Sequence, residues 1–239
     1  MVIDHACKIF FPFIDQLFTM LHLPLQASFF IYYGIESFGR IAFVLFAFMV
    51  AEGCRYTRDI KKYFMRLCFF GVISEIPFQW MTNIILDQKI AFKLAFTNVY
   101  FTLALGVLAI YGYQYFKERK VLKWVLPLSC AIIAVLIHCD YSAIGVMLIF
   151  ACYYFQNEKD KIRAIVIIQF VQYLLIFPLL YGGYQSDLIL FGIYFLYSML
   201  AVVLIKHYNH ERGKSLKYVF YVFYPIHLLI LCSIYTLLI

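Results

Sequence analysis

The stretch GRIAFVLFAFMVAEGCRYTRDIKKYFMRL, residues 39–67, decides the fold of this chain. Its first part is an apolar run with isolated charges at Arg40 and Glu52, and its second part carries a basic cluster. This basic cluster consists of Arg55, Arg58, Lys61, Lys62 and Arg66. An apolar run of about 20 residues that ends in Lys and Arg is typical of a helix that crosses a membrane and ends on its cytoplasmic side.

The whole chain repeats this alternation of apolar and charged segments. Its 239 residues are 65% hydrophobic and 21% aromatic, whereas a soluble domain is about 45–50% apolar. Helices are favoured because lipid leaves the edge of an open sheet without hydrogen-bond partners. We therefore expect an all-α polytopic transmembrane bundle that forms one domain over residues 1–239. About nine helices are predicted, at roughly 1–20, 34–54, 63–85, 94–116, 121–138, 141–156, 162–181, 187–206 and 217–239.

Basic residues occupy alternate loops. Sixteen of the 20 Lys and Arg lie near residues 55–66, 117–123, 159–163 and 206–217, and the other loops hold only Lys89 and Lys93. The positive-inside rule then predicts that even-numbered helices run inward and that the C-terminus lies outside a bacterial plasma (inner) membrane. The basic loops that set the membrane topology account for the net charge of +7. We therefore expect the chain to contact membrane lipid and to have no nucleic-acid partner. The seven Cys show no metal-ligand spacing, so we expect no metal site.

Several ionisable side chains fall at a common depth within the apolar segments. They are Asp4 and His5 in the first segment, Arg40 in the second, Glu75 in the third and His227 in the ninth. A charge at mid-bilayer costs a few kcal/mol or more, so it normally faces the bundle interior or a wet cavity. We expect a polar cavity bounded by helices one, two, three and nine.

Each of these residues also has a purely structural interpretation. Arg40 with Glu75 or Asp4 would be a buried ion pair that fixes helix register. His227 would donate a hydrogen bond to a backbone carbonyl behind the kink at Pro225.

The charges nearer the helix ends have two interpretations as well. Glu52 would be an interfacial charge, and Asp140 with His138 would flank a solvated outer turn. The basic cluster that follows residue 54 is either a topology signal or a phosphate-binding site.

The buried set suits acyl transfer without a covalent enzyme intermediate. Histidine takes a proton near neutral pH, a carboxylate fixes its tautomer, and arginine or a second histidine steadies an oxyanion. A proton-coupled transporter uses the same residue types, and a non-catalytic membrane scaffold is a third reading. Against the transporter, the chain shows no internal repeat and no matched pair of broken helices.

Six motifs of the chain, taken in order, resemble the TraX family of integral-membrane acetyltransferases. They are MVIDHACKIFFP (1–12), the stretch 39–67, ISEIPF (73–78), NVYFTLALGVLAIY (98–111), CDYSAIGVMLI (139–149) and YVFYPIHLLIL (221–231). The resemblance implies an N-acetylase that uses acetyl-CoA, as the pilin acetylase for which the family is named. More distantly, the chain is similar to type 3 membrane acyltransferases.

The resemblance also implies roles for particular residues. His5 matches the histidine of the family's DH motif and would be the catalytic base, with Asp4 as its orienting neighbour. The residues that would position and polarise the acyl group are Arg40, Glu75 and His227. On the substrate side the matches are Glu52, Asp140 and Tyr141. The CoA phosphates would meet Arg55, Arg58, Lys61, Lys62 and Arg66.

Two further expectations follow from the resemblance. Family members usually have about a dozen residues before MVIDH, so we expect the first helix to lack its N-terminal half. The acceptor of the acetyl group is expected to be a peptide amine such as a pilin N-terminus, a sugar or a small amine.

Overall fold

The computed structural model describes residues 1–88, 91, 92, 95–209, 211 and 217–239, with the side chain of residue 217 left out. All regular structure in these residues is helical. The helices are α1 (Val2–Ile9), α2 (Phe11–Met20), α3 (Leu25–Glu36), α4 (Phe38–Tyr56), α5 (Ile60–Ile85), α6 (Val99–Tyr115), α7 (Leu122–Leu136), α8 (Ser142–Tyr154), α9 (Glu158–Phe170), α10 (Phe177–Tyr181), α11 (Gln185–Lys206) and α12 (Lys217–Leu238). A π-helical segment, Val171–Ile176, joins α9 to α10. Of the predicted loop residues, Lys89, Lys93, Arg212 and Lys214 lie outside the described residues.

Within the described residues these elements combine into nine helical rods, which confirms the expected bundle. Helices α1 and α2 form one rod, α3 and α4 run together through Ser37, and α9, the π-helical segment and α10 form a third composite rod. Connections of a few residues, such as 57–59 and 155–157, make neighbouring rods antiparallel. Which side of the membrane each loop faces stays a prediction.

The second rod is longer than the sequence predicted. Residues 21–33 were expected to form a connection, but α3 begins at Leu25 directly after Pro24. Proline fixes its own φ and is well tolerated where a helix starts. The continuous helical stretch Leu25–Tyr56 has 32 residues and a high mean hydropathy, which corresponds to about 48 Å at 1.5 Å per residue.

Among the described residues, four stretches are long and apolar enough to cross a membrane: Leu25–Tyr56, Glu158–Tyr181, Gln185–Lys206 and Tyr218–Leu238. The apolar helices α7 and α8 are shorter, with 15 and 13 residues. At 1.5 Å per residue α8 rises only about 20 Å, less than the hydrocarbon thickness of about 30 Å. The turn between α7 and α8 combines the exposed His138 and Asp140 with the buried Cys139.

Helix α6 is the packed centre of the fold, since it contacts α4, α5, α7 and α8. Its glycines allow the close approach of neighbouring helices: a Cβ on Gly106 would lie 2.6 Å from the side chain of Ile149, and one on Gly112 would lie 2.2 Å from Leu126. Small residues at such crossings are the usual means of packing helices in lipid. This tight centre holds the α7–α8 turn against the site described next.

Candidate functional site

A cavity of about 220 Å³ opens between α1, α4, α5, α12 and the turn that precedes α8. Its ionisable lining consists of Asp4, His5, Lys8, Arg40 and Asp140. Two tyrosines, Tyr141 and Tyr224, and apolar side chains that include Phe43 and Met81 complete the wall. Five ionisable groups in one cavity of an apolar bundle mark it as the candidate site.

Two histidines from opposite ends of the chain meet at this cavity. The ring nitrogen Nδ1 of His5 lies 2.8 Å from Nε2 of His227, and Nδ1 of His227 lies 2.9 Å from the backbone carbonyl of Phe223. A carbonyl only accepts, so Nδ1 of His227 carries a proton and its Nε2 accepts when the ring is neutral. His5 then donates from Nδ1, which leaves Nε2 of His5 with a free lone pair.

The carboxylate of Asp4 stands on the side of this free nitrogen. Its Oδ2 lies 3.7 Å from Nε2 of His5, too long for a direct hydrogen bond. Asp4 therefore does not orient the ring of His5 as the sequence predicted, because His227 occupies the nitrogen that an orienting partner would hold. From its position, Asp4 would stabilise the positive charge that His5 acquires on taking a proton.

Behind this pair lies a network of two acids and two cations. The ammonium of Lys8 is 2.7 Å from Asp4 and 3.2 Å from Glu36, and the guanidinium of Arg40 is 2.7 Å from the same oxygen of Glu36. Glu36 is only 1% exposed. One acid thus holds both cations that face the cavity, and Glu36 is a site residue that the sequence reasoning missed.

A close contact of helices fixes Asp4 in this network. A Cβ placed on Gly39 would lie 2.5 Å from Cβ of Asp4. Only a residue without a side chain lets α1 approach α4 this closely, because a separation below 3.0 Å is a clash. The glycine that precedes Arg40 is therefore part of the site.

Aromatic rings hold Arg40 from its other side. The guanidinium carbon lies 4.1 Å from the centre of the Tyr194 ring, a cation–π contact. Tyr173 also contacts Arg40 through its hydroxyl, and it belongs to the π-helical segment. A π-helical turn changes the direction in which the following side chains point from the helix, and such turns are frequent at functional sites.

The turn before α8 brings Asp140 and Tyr141 to the cavity wall. The backbone N–H of Asp140 donates to the carbonyl of Thr97 at 2.7 Å, and the hydroxyl of Thr102 donates to the carbonyl of Asp140. Tyr141 has a left-handed backbone, with φ of 62°, and its ring stacks on Phe43 at 3.5 Å. A strained non-glycine residue of this kind persists only where its surroundings hold it. Asp140 is exposed and also lines the cavity, so the structure agrees with the alternative of a solvated turn at this residue.

Glu75 does not line the cavity. Its carboxylate accepts hydrogen bonds from the side chains of Asn98 at 2.6 Å, Thr97 at 2.8 Å and Gln79 at 3.1 Å. These contacts fasten α5 to the start of α6. The prediction that Glu75 positions the acyl group is not supported, because α6 takes up its carboxylate.

Glu52 also lies away from the cavity, at the other end of α4. It accepts from Arg55 at 2.6 Å and from the buried Lys161 at 3.4 Å. Arg55 further donates to the backbone carbonyls of Cys152 and Tyr153 at the end of α8. The substrate-side role of Glu52 stays a prediction that its distance from the cavity does not favour, and Arg55 is engaged by contacts within the protein.

The remaining members of the basic cluster differ in exposure. Arg58, Lys61 and Lys62 are exposed, whereas Arg66 is half-buried beside the ring of Tyr63. Eighteen residues separate Arg40 from Arg58 in the sequence, so helical rise puts the exposed cations up to about 27 Å from the level of the cavity.

Comparison with known proteins agrees with this arrangement of motifs. The family described as TraX protein matches residues 1–235. A relative from Dichelobacter nodosus, named probable fimbrial assembly protein FimC, serogroup H1, is 29% identical over 208 residues, which are 82% of this chain and 80% of that protein. No solved structure matches the chain. Since the family match extends from the cavity residues of α1 to those of α12, this membrane protein belongs to the TraX family.

Proposed function

We propose that this protein is an integral-membrane acetyltransferase that moves an acetyl group from acetyl-CoA to an amine. One observation carries the proposal: the chain of hydrogen bonds through His227 leaves Nε2 of His5 unprotonated and facing a cavity. A general base needs this combination of a free lone pair and access to the proton that it removes.

The cavity residues support a direct transfer. His5 takes the proton from the acceptor nitrogen while that nitrogen attacks the thioester carbonyl, and Asp4 stabilises the imidazolium. Lys8 and Arg40 stabilise the oxyanion of the tetrahedral intermediate. As the C–S bond breaks, the proton passes from His5 to the sulfur, so the products are the N-acetyl acceptor and CoA.

The exposed members of the basic cluster are the proposed contacts for CoA phosphates. Arg58, Lys61 and Lys62 present their cations at the end of α4 and the start of α5. Guanidinium and ammonium groups bind phosphate by charge-assisted hydrogen bonds. Helix α4 leads from these residues to Arg40, so the acyl end of the donor would follow it to the cavity.

The comparisons support a peptide as the acceptor. A relative is named for fimbrial assembly, and fimbriae are built from protein subunits, which offer an N-terminal amine. We propose such a subunit as the acceptor and the bacterial inner membrane as the location, with a sugar or small amine as the alternative acceptor.

The test is acetyl transfer from radiolabelled acetyl-CoA by purified protein in detergent, with a peptide amine as acceptor. His5→Ala should lower the rate of acetyl transfer at least about 10²-fold, which is the lower range for general base catalysis. The affinity for acetyl-CoA, measured by calorimetry, should be retained. The matched control is His207→Ala, since His207 is exposed at the end of α11. Full activity of His5→Ala refutes the mechanism. Absence of acetyl-CoA binding in the wild-type protein, together with proton-driven uptake in vesicles, would assign the cavity to a transporter.

A further inference from the structure

A second concave surface lies on the outside of the bundle, apart from the cavity that contains His5. It is a groove of about 510 Å³ between α8 and α9, bordered by Trp124 of α7. Helix α8 contributes residues at helical spacing, Met147, Phe150, Ala151 and Tyr154, and α9 contributes Asp160, Arg163, Ala164, Ile167 and Ile168. Tyr141 of the reaction cavity does not belong to this lining.

Small residues lie at the floor of the groove, and aromatic residues border it. Ala151 and Ala164 leave space where larger side chains would fill it. The indole of Trp124 lies 5.4 Å from the ring of Tyr154 and 5.9 Å from that of Phe150. An elongated apolar groove of this kind in a membrane protein fits a hydrocarbon chain.

One end of the groove is basic. Arg163 lines this end and is exposed. Its Nη1 lies 3.1 Å from a carboxylate oxygen of Asp160. The guanidinium has five N–H donors, so others are available to a ligand. The ammonium of Lys123 lies 5.8 Å from the ring of Trp124. The adjoining connection adds Lys117, Arg119 and Lys120 against one acid, Glu118, so residues 117–123 carry three net positive charges.

We propose that this groove binds one phospholipid with an anionic headgroup. An acyl chain lies over Ala151 and Ala164, and the phosphate meets Arg163 and Lys123. The apolar lining alone would accept any lipid, and the excess of positive charge at one end selects an anionic one. The residues that support this site are not those of the proposed acetyl transfer. Because α8 begins at the wall of the reaction cavity, a lipid that joins α8 to α9 also supports that wall.

The experiment is native mass spectrometry of the full-length protein with phosphatidylglycerol or phosphatidylcholine of identical chains. The wild type should retain one phosphatidylglycerol per chain with at least five-fold preference. Lys123→Gln and Arg163→Gln should each reduce that preference about five-fold, the equivalent of about 1 kcal/mol per basic residue near a lipid surface. Lys206→Gln, an exposed cation that does not line the groove, should leave it unchanged.

A second pair of variants tests the groove by shape. Ala164→Phe fills the groove and should lose the retained lipid at unchanged helix content. Gly192→Phe introduces the same side chain where, apart from the adjoining residues and the backbone of its own helix, nothing lies within 4 Å of the new Cβ, and it should retain the lipid. Equal retention of the two lipids by the wild type overturns the proposal, and so does lipid retention by Ala164→Phe at the wild-type level. Neither readout involves acetyl-CoA, so it stands or falls separately from the proposed activity.

Discussion

Glu36 is the acid on which the charge balance of the site depends, and its neutralisation gives the sharpest prediction. Glu36→Gln keeps the shape of the side chain but removes the charge that Lys8 and Arg40 share. Removing one partner of a buried ion pair costs about 3–5 kcal/mol because a charge is left uncompensated. We expect the low end, about 3 kcal/mol, since Lys8 keeps its contact with Asp4 at 2.7 Å.

The assay is equilibrium unfolding of the purified protein in detergent by a denaturant, followed by circular dichroism. Glu118→Gln is the matched control, because the side chain of Glu118 is 86% exposed, and it should change the free energy of unfolding by no more than about 0.5 kcal/mol. The double variant with Arg40→Met should recover part of the loss, with a coupling energy of at least about 1 kcal/mol. Equal stability of Glu36→Gln and the wild type, or strict additivity in the double variant, would show that Glu36 does not hold the two cations.

Two further predictions concern the proposed reaction. His227→Phe keeps an aromatic ring beside His5 but removes the acceptor at 2.8 Å, so His5 loses its fixed tautomer. The rate of acetyl transfer should fall at least about ten-fold while the Kd for acetyl-CoA stays constant, and an unchanged rate would contradict the orienting role. Charge reversal at Arg58 and Lys62 should weaken acetyl-CoA binding in calorimetry at least about ten-fold, since one charge-assisted hydrogen bond contributes about 1.5 kcal/mol. If the affinity is unaltered, the exposed basic residues serve topology alone.

The fold was largely predictable because charges interrupt the apolar segments at nearly every connection. The connection before the second rod is the exception: α3 begins after Pro24 with no charged residue to mark a boundary. Hydropathy alone did not separate a helix from a loop there, so the length of that rod was underestimated.

The level of each site residue along its helix was predictable from the sequence, but the direction in which its side chain points was not. Helical rise gives the level of a residue along its helix, and the structure brings His5 into contact with His227 and into one cavity with Arg40. It does not give the rotation of each helix about its own axis, so it did not show that Glu75 faces α6. Glu36 was visible in principle, because it precedes Arg40 by four residues and such pairs share a helix face.

Burial and the neighbouring charges act in opposite directions on the imidazolium that the proposed mechanism requires. Its surroundings include three carboxylates and two permanent cations, namely Asp4, Glu36, Asp140, Lys8 and Arg40. In a medium less polar than water, opposite charges a few ångströms apart attract more strongly than in water. Burial in the bundle opposes a charge on His5, and the carboxylate of Asp4, 3.7 Å from Nε2, offsets part of that cost at the moment of attack.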